Sequence, residues 1–311
     1  MRIPRPWHDR LSLPAVAAPM TAVSGPELVV AACRAGVIGA FPTHNAPSRE
    51  ALDDWLDQID SRLTPDCAPV AANLVVHRTN QRLGSDLDCL RRHNVELVIT
   101  SVGSPEPVVG PLHDAGIQVY ADVASLGHAE RALAAGVDGL VLLTAGAGGQ
   151  TGWANPFAFV RAVRARYAGP LILAGGITDG RSILAARILG VDLVYLGTRF
   201  IATEESMAGP DYRASVVSST MDDVRLSNRV GGIPANLLAD WLANAQQAGE
   251  TQDSPDAAFD QNQLLANRTA WSAGHSVCGV TAVTPVAELV DTLITEYAHA
   301  RREPWELVIN G

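Results

Sequence analysis

Two glycine-rich stretches place backbone amides where an anion can bind. Gly175 and Gly176 lie in AGGITDG, residues 174–180, and Gly197 and Thr198 follow the next apolar run. Uncovered backbone N–H groups at the start of a helix bind phosphate without a lysine. Glycine at one strand end is often only turn chemistry. Because the feature recurs at two consecutive strand ends, it favours a phosphate site.

A third stretch, LVLLTAGAGGQTGWANPF at 140–157, runs from apolar residues into four glycines with one amide side chain, Gln150. Glycine allows a flat group to approach the backbone closely, so we expect this loop to lie against the planar part of a phosphorylated ligand. Gln150 exchanges hydrogen bonds but has no usable pKa near neutrality, so it cannot act as a base. Trp153 is expected either to wall the pocket or to pack under the next helix.

Other side chains that can transfer a proton lie at predicted strand ends. Asp122 and His44 are the first candidates for a base, and His77 and His275 are expected near the same mouth. A structural role is the alternative for each of them, such as a capping contact or a hydrogen bond to a lid. Asp122 has a further alternative, which is to hold either a neighbouring loop or, through Arg78, the segment 77–80.

The elements that position these residues repeat along the chain. Gly36, Asn94, Gly116, Gly136 and Gly190 each follow a helical pattern and precede an apolar run, as residues that close a helix do. Eight such runs alternate with amphipathic segments, which predicts an α/β fold, a (β/α)8 TIM barrel rather than an open doubly wound sheet. The predicted strands are 15–19, 37–42, 69–76, 95–102, 117–123, 139–145, 171–176 and 193–200.

An insertion follows the eighth predicted strand. Residues 1–202 and 284–311 form the predicted barrel, and 203–283 form a helical insertion or lid subdomain over the catalytic face. The insertion contains a helix-like segment at 235–247 and a polar link at 249–260. The last barrel helix is predicted to start with Thr284 as N-cap and Pro285 as its first residue.

Composition limits the partners. The 311 residues carry a net charge of −10, with 23 basic and 33 acidic residues, so nucleic acid and anionic membranes are poor partners. No apolar run is long enough to span a membrane, and the first residues lack the apolar core of a signal peptide. Cys33, Cys67, Cys89 and Cys278 show no metal-ligand spacing, which indicates reduced, buried thiols in a cytoplasmic protein and no metal.

Several motifs together resemble the nitronate monooxygenase (2-nitropropane dioxygenase-like) family of FMN-dependent TIM barrels. They are AAPMTAVSGPELVVAACRAGVIGAFP, AANLVV, GAGGQTGWANPFAFV, PLILAGGITDG, VYLGTRFIATEES and WSAGHSV, in this order along nearly the whole chain. The resemblance implies that FMN is bound with its phosphate at Gly175, Gly176, Gly197 and Thr198. It also implies isoalloxazine contacts from Ala18, Pro19, Met20, Asn73, Gly149 and Gln150.

The chain departs from the family at Gln150, where many members carry a histidine that is taken to remove the α-proton of a nitroalkane. The resemblance implies oxidation of alkyl nitronates with O2 to a carbonyl compound and nitrite. One alternative is a flavin-dependent reductase of enoyl thioesters or quinones that uses NAD(P)H. Another is a base-deficient FMN-binding barrel that acts as a sensor or carrier. The oligomeric state and the physiological substrate stay open.

Overall fold

The computed structural model describes residues 1–247 and 258–303. Its β-strands, in chain order, are β1 (Ala15–Ala17), β2 (Ile38–Pro42), β3 (Val70–Val75), β4 (Leu97–Ser101), β5 (Gln118–Val123), β6 (Gly139–Leu143), β7 (Gly149–Gln150), β8 (Leu171–Ala174), β9 (Leu193–Leu196), β10 (Val224–Ser227) and β11 (Ala235–Leu238). Eight of them lie within the eight predicted runs, and each is shorter than its run. The other three were not expected from the sequence.

The helices surround these strands. They are α1 (Arg5–His8), α2 (Pro26–Arg34), α3 (Arg49–Arg62), α4 (Leu83–Arg92), α5 (Glu106–His113), α6 (Leu126–Ala134), α7 (Pro156–Arg164), α8 (Gly180–Leu189), α9 (Thr198–Ile201), α10 (Pro210–Ser218), α11 (Ala239–Gln247), α12 (Gln261–Ala266) and α13 (Val286–Arg302). Within the described ranges, no helix combines the length and the apolar character needed to cross a bilayer.

A closed parallel barrel of eight strands confirms the predicted fold. The order around it is β1-β2-β3-β4-β5-β6-β8-β9, and β9 pairs with β1 to close the ring. The five residues predicted to close helices all have positive φ, from 50° at Asn94 to 107° at Gly190. Because every strand is parallel, all eight carboxyl ends meet at one rim, and the loops that carry the candidate residues leave from that rim.

Side chains alternate between the barrel interior and the layer under the helices. In β4, Leu97 and Ile99 belong to the interior cluster, whereas Val98 belongs to the larger cluster between sheet and helices. This is the period of two that strand geometry imposes. At the end of the barrel opposite the rim, Trp7 of α1 packs against Tyr120 with ring centroids 6.3 Å apart.

The insertion is not purely helical. The segment predicted as a helix at 235–247 begins as strand β11 and becomes helical only from Ala239. Its first four residues are extended because β11 pairs on both sides, with β10 and with β7 of the glycine-rich loop. Most of the polar link predicted at 249–260 lies outside the described residues. The assignment of 203–283 as a separate lid unit stays a prediction.

Two local predictions are wrong. Helix α13 begins at Val286 with Pro285 in the N-cap position, because Thr284 instead forms a parallel bridge with Thr203. The four thiols are free, but only Cys33 and Cys89 are buried, and Cys278 is exposed. Cys278 lies on the surface because it belongs to the 3-10 turn His275–Gly279 of the insertion.

A buried carboxylate network stabilises the start of β8 and β9. Asp192 accepts hydrogen bonds from Arg164 Nη2 at 2.9 Å, from the Leu171 backbone N–H at 3.1 Å and from the Arg2 backbone N–H at 2.9 Å. Asp192 is 1% exposed. We expect Asp192→Ala to lower the free energy of unfolding by about 3–5 kcal/mol, because it leaves the Arg164 guanidinium without its buried partner.

Urea denaturation followed by circular dichroism measures this loss. Glu27→Gln is the matched control, because it breaks the exposed Glu27–Arg62 ion pair and should cost no more than about 1 kcal/mol. Equal effects of the two substitutions would contradict the proposed importance of the buried network.

Candidate active site

One open cavity at the carboxyl-terminal rim contains most of the predicted site residues. Its free space, including the part open to solvent, is about 1300 Å³. The lining includes each residue expected to bind the cofactor and each first candidate for a base: Ala18, Pro19, Met20, His44, Asn73, Asp122, Gly149, Gln150, Gly175, Gly176, Gly197 and Thr198. The structure therefore brings together residues that are distant in sequence.

The ends of β8 and β9 leave backbone amides facing the cavity. Gly175 and Gly176 have φ of 120° and 72°, and a Cβ on Gly176 would meet no atom within 4 Å. Within the described residues, the backbone N–H groups of Gly176, Gly197 and Thr198 donate to no protein acceptor. Free amides beside empty space fit a phosphate, which needs several donors and no cation.

The loop after β1 is held in shape by Asn45, which the sequence analysis missed. Asn45 Nδ2 donates to the carbonyl oxygens of Met20 and Ser24, and Asn45 Oδ1 accepts from the Ala22 N–H at 2.9 Å. Ala22 has φ of 58°, a conformation that costs energy in a non-glycine residue. The Asn45 contacts compensate for this cost and fix the backbone of residues 18–20 against the cavity.

Asn73 lies in β3 with half of its hydrogen-bonding capacity used. Its Nδ2 donates to the Ile99 carbonyl at 3.1 Å, and its Oδ1 accepts from Ser101 Oγ at 3.2 Å. An amide can form about four hydrogen bonds, so one N–H and one lone pair remain for a ligand.

Gln150 is held by the insertion. It lies in β7, where its backbone pairs with Ala235 of β11, and Asn236 Nδ2 donates to the Ala147 carbonyl at 2.7 Å. The Gln150 side chain forms no hydrogen bond within the described residues, and it lines the cavity. Among the described residues, the side-chain amide of Gln150 therefore keeps its two N–H donors and two acceptor lone pairs for a ligand, and its backbone is held in place. It is suited to orienting a polar ligand.

The glycines of the loop 146–152 also allow close packing between chain segments, besides the approach of a flat ligand that the sequence suggested. A Cβ on Gly146 would lie 2.8 Å from His275 Nδ1, and a Cβ on Gly148 would lie 2.8 Å from the Gly274 backbone nitrogen. The backbone N–H of His275 also donates to the Gly146 carbonyl oxygen at 2.9 Å. These glycines therefore permit close packing of the insertion. Gly146, with φ of 91°, and Gly149, with φ of 63°, both line the cavity and adopt a conformation with positive φ.

Asp122 is the acid at the floor of the cavity. Its Oδ1 is covered and has no hydrogen-bond partner within the described residues, and the covered hydroxyl of Tyr195 lacks a partner as well. Burial disfavours the charged carboxylate and raises the pKa of Asp122 to about 7. The predicted alternative, a contact with Arg78, does not form.

The histidines separate into two groups. His44 lines the cavity and hydrogen-bonds Thr21 Oγ1 through Nε2 at 2.9 Å. Burial, with the nearby Arg268 and Arg82, lowers the pKa of His44 to about 4, so its imidazole is neutral at pH 7. His77 is hydrogen-bonded to Thr79 and His275 is exposed, and neither lines the cavity, contrary to expectation.

The insertion contributes cavity residues that the sequence analysis did not identify. Arg268 is a cation in the lining, and its Nη2 donates to the Asn45 carbonyl at 3.2 Å. Tyr212 hydrogen-bonds the Ser272 backbone, and its ring stacks on Trp271 with centroids 5.6 Å apart. No sequence signal marked these residues, because only the tertiary fold brings the insertion over the rim.

Trp153 neither walls the pocket nor packs under the following helix, so both sequence interpretations of this residue are wrong. The residue is 84% exposed and does not line the cavity. The loop turns at Gly152, where a Cβ would lie only 2.1 Å from the Leu143 carbonyl oxygen. A residue with a side chain therefore does not fit at the position before Trp153.

Solved structures share the fold. A nitroalkane oxidase from Streptomyces ansochromogenes superposes with a TM-score of 0.80 at 23% identity, covering 95% of this chain and 99% of that one. FabK from Thermotoga maritima superposes with a TM-score of 0.78 at 23% identity, covering 94% and 95% of the two chains. At this level of identity the likeness shows the barrel architecture alone.

Relatives with similar sequences are oxidoreductases with different names. A nitronate monooxygenase of Pseudomonas aeruginosa is 28% identical over 91% of this chain and 95% of its own. A (3aS,4S,5R,7aS)-5-hydroxy-7a-methyl-1-oxo-octahydro-1H-indene-4-carboxyl-CoA dehydrogenase of Rhodococcus jostii is 25% identical over 81% and 70%. A Mycobacterium tuberculosis relative is 32% identical, but the match spans only 52% of its length.

The sequence pattern that defines the nitronate monooxygenase family matches residues 60–296, about three quarters of the chain. This range contains most of the cavity residues described above, including the glycine-rich loop and both phosphate-compatible strand ends. It confirms the resemblance seen in the motifs. The chain therefore belongs to the nitronate monooxygenase family and is an oxidoreductase.

Proposed function

We propose that this protein binds FMN in the rim cavity and oxidises alkyl nitronates with O2 to a carbonyl compound and nitrite. One observation carries the proposal. Backbone N–H groups of Gly176, Gly197 and Thr198, which have no acceptor in the described part of the chain, line the same cavity as Gln150. The amides fit a phosphate monoester, and Gln150 lies in the same lining.

The chain's own residues would divide the work. The ends of β8 and β9 would hold the phosphate, and residues 18–20, Asn73 and Gly149 would border the flat ring system. Bound FMN would supply the redox chemistry. Gln150 would donate an N–H to a nitronate oxygen and so orient the anion, a charge-assisted hydrogen bond worth about 1.5–3 kcal/mol. The insertion would exclude bulk water.

Anaerobic mixing tests the proposal. The purified protein is mixed in turn with ethyl nitronate, NADH and NADPH, and the visible flavin bands are recorded. Bleaching by nitronate, with nitrite formed after air is admitted, is the expected result. If the protein carries flavin and nitronate leaves its bands unchanged, the assignment fails.

A reductase is the second candidate, because the Rhodococcus jostii relative acts on a CoA thioester according to its name. In the same mixing experiment, bleaching by NADH or NADPH but not by nitronate would favour it. A sensor or carrier is the third candidate, because the base position holds Gln150. No bleaching by any of the three reductants would favour it.

We also propose that residues 203–283 act as a lid that shapes the substrate pocket. The lid holds the Gln150 loop through β11, so deleting β11 would unpair that loop. Asn236→Ala is a milder test, because it removes only the hydrogen bond to the Ala147 carbonyl. We expect a several-fold rise in KM for nitronate with FMN retained. Stopped-flow and steady-state kinetics measure this effect, and unchanged kinetics would argue against the lid.

Asp122 is the group best placed to accept a proton in the slow turnover of a neutral nitroalkane that remains when position 150 supplies no base. A carboxyl group acts as a base only when it is ionised. Burial raises the pKa of Asp122 to about 7, so Asp122 is protonated and inactive in acid and becomes active as the pH rises past 7. We expect kcat/KM for nitroethane to rise between about pH 6 and pH 8. Asp122→Asn should abolish this rise and change nitronate turnover little, whereas the exposed control Asp88→Asn should change neither. A pH profile that survives in Asp122→Asn would exclude this role.

A further inference from the structure

A cysteine, a histidine and an aspartate meet on the outside of the barrel, and none of them lines the rim cavity. Cys89 and His93 are four residues apart at the end of α4, which places them on one face. Asp53 faces them from α3. One ligand atom from each side chain lies within 4.8 Å of both others.

The separations are close to those of a metal site. Asp53 Oδ1 lies 3.5 Å from Cys89 Sγ and 2.8 Å from His93 Nε2. Around a tetrahedral zinc ion, with Zn–S near 2.3 Å and Zn–N and Zn–O near 2.0–2.1 Å, two ligand atoms lie roughly 3.3–3.6 Å apart. The oxygen–sulfur pair already has this spacing, and the oxygen–nitrogen pair needs to open by only about 0.5 Å.

The other nitrogen of His93 also faces carboxylates. His93 Nδ1 lies 3.5 Å from Asp60 Oδ2 and 3.7 Å from Asp57 Oδ1, both on α3. A histidine that ligates a metal usually donates its second N–H to a carboxylate, which fixes the tautomer and leaves the first nitrogen free for the ion. The arrangement supplies both the ligands and this outer support.

Charge and access agree with cation binding. Three carboxylates surround His93, and Arg92 is the cation in contact with Asp53, at 2.9 Å from Oδ1. The Arg92 side chain is 49% exposed, so it can turn toward solvent when an ion arrives. The Asp53 side chain is 38% exposed and provides the entry, while Cys89 is fully buried behind it.

We propose that Asp53, Cys89 and His93 form a zinc site that joins α3 to α4, with water as the fourth ligand. On binding, the Cys89 thiol releases its proton to solvent, and the thiolate, the neutral imidazole and the carboxylate bond to the ion. Thiolate and imidazole together select zinc over magnesium or calcium. The spacing of the cysteines did not indicate this site, because it contains only one cysteine and takes its aspartate from a different helix.

Metal titration of the chelator-treated protein tests the site. Co²⁺ should bind one ion per chain, with a thiolate-to-cobalt charge-transfer band and tetrahedral d–d bands at wavelengths longer than flavin absorption. Zn²⁺ should displace it. Cys89→Ser and His93→Gln should each weaken binding by more than the roughly 10- to 100-fold that loss of an outer-shell partner costs. Arg92→Gln should tighten it about 2- to 5-fold, because a competing cation is removed.

Cys278→Ser is the matched control. It removes an exposed thiol that lies outside the proposed site, so it should leave the titration unchanged. If Cys89→Ser fails to fold, His93→Gln and Arg92→Gln carry the test. The proposal is overturned if wild type takes up no stoichiometric ion, if His93→Gln binds as tightly as wild type, or if the cobalt bands disappear in Cys278→Ser.

Discussion

The wild-type protein should turn over preformed ethyl nitronate about 10²–10⁴ times more efficiently than neutral nitroethane, because Gln150 cannot remove the α-proton and general base catalysis contributes about that much. Gln150 lines the cavity from β7, and its side-chain amide has no hydrogen-bond partner among the residues that the structure describes. It is suited to binding an anion that is already formed. Steady-state rates with freshly prepared nitronate and with the neutral form of the same compound measure the ratio.

Two variants separate orientation from proton transfer. Gln150→His should raise activity on neutral nitroethane and change nitronate turnover less. Gln150→Ala should raise KM for nitronate about 10- to 100-fold, because it removes one charge-assisted hydrogen bond. Equal use of both substrate forms by wild type would mean that another base operates, with Asp122 examined before His44. If neither form is used, the nitronate assignment fails.

Gly197→Leu should abolish FMN binding while the barrel still folds. Gly197 has negative φ, and a Cβ there would meet Met20 Sδ at 3.6 Å, an ordinary contact. A larger side chain would fill the space beside the free amides without straining the backbone. Gly176→Leu should also expel the cofactor, but at φ of 72° it adds strain, so it is the less specific variant. Released flavin is quantified by fluorescence after denaturation.

Gly197→Ala and Gly84→Leu are the controls. The alanine should retain FMN, because its contacts are normal, and Gly84 lies in α4 with no atom within 4 Å of an added Cβ. The released cofactor should be FMN rather than FAD, because the amides fit a single phosphate and no adenylate-binding motif is visible in the sequence. A fully flavinated Gly197→Leu protein would place the phosphate elsewhere.

Much of the barrel could be predicted from the sequence because the patterns that indicate each strand and helix are local. A glycine or asparagine closing each helix and an apolar run after it predict βα units one at a time, and closing the ring then brings Asn73, Asp122 and Gly197 to one rim. Strand ends in a parallel barrel meet whatever their separation in sequence. Their shared cavity was therefore predictable, whereas their roles toward FMN stay predictions.

The contribution of the insertion was not predictable in the same way. The segment 235–238 has helix-compatible residues, and only pairing with β7 and β10 makes it a strand. Arg268 and Tyr212 reach the cavity for the same reason, because distant chain segments dock over the rim. Trp153 was misplaced because its large apolar ring suggested burial, whereas the structure leaves it exposed.

The pairing of β7 with β11 has a consequence for the order in which the molecule assembles. Gln150 and its partner Ala235 are separated by 85 residues, and β8 and β9 lie between them in the chain. Contacts of such long range form late, because the intervening loop must close first. During synthesis the barrel has emerged through β9 before β11 can dock, so the backbone of Gln150 stays unpaired until the insertion has been made.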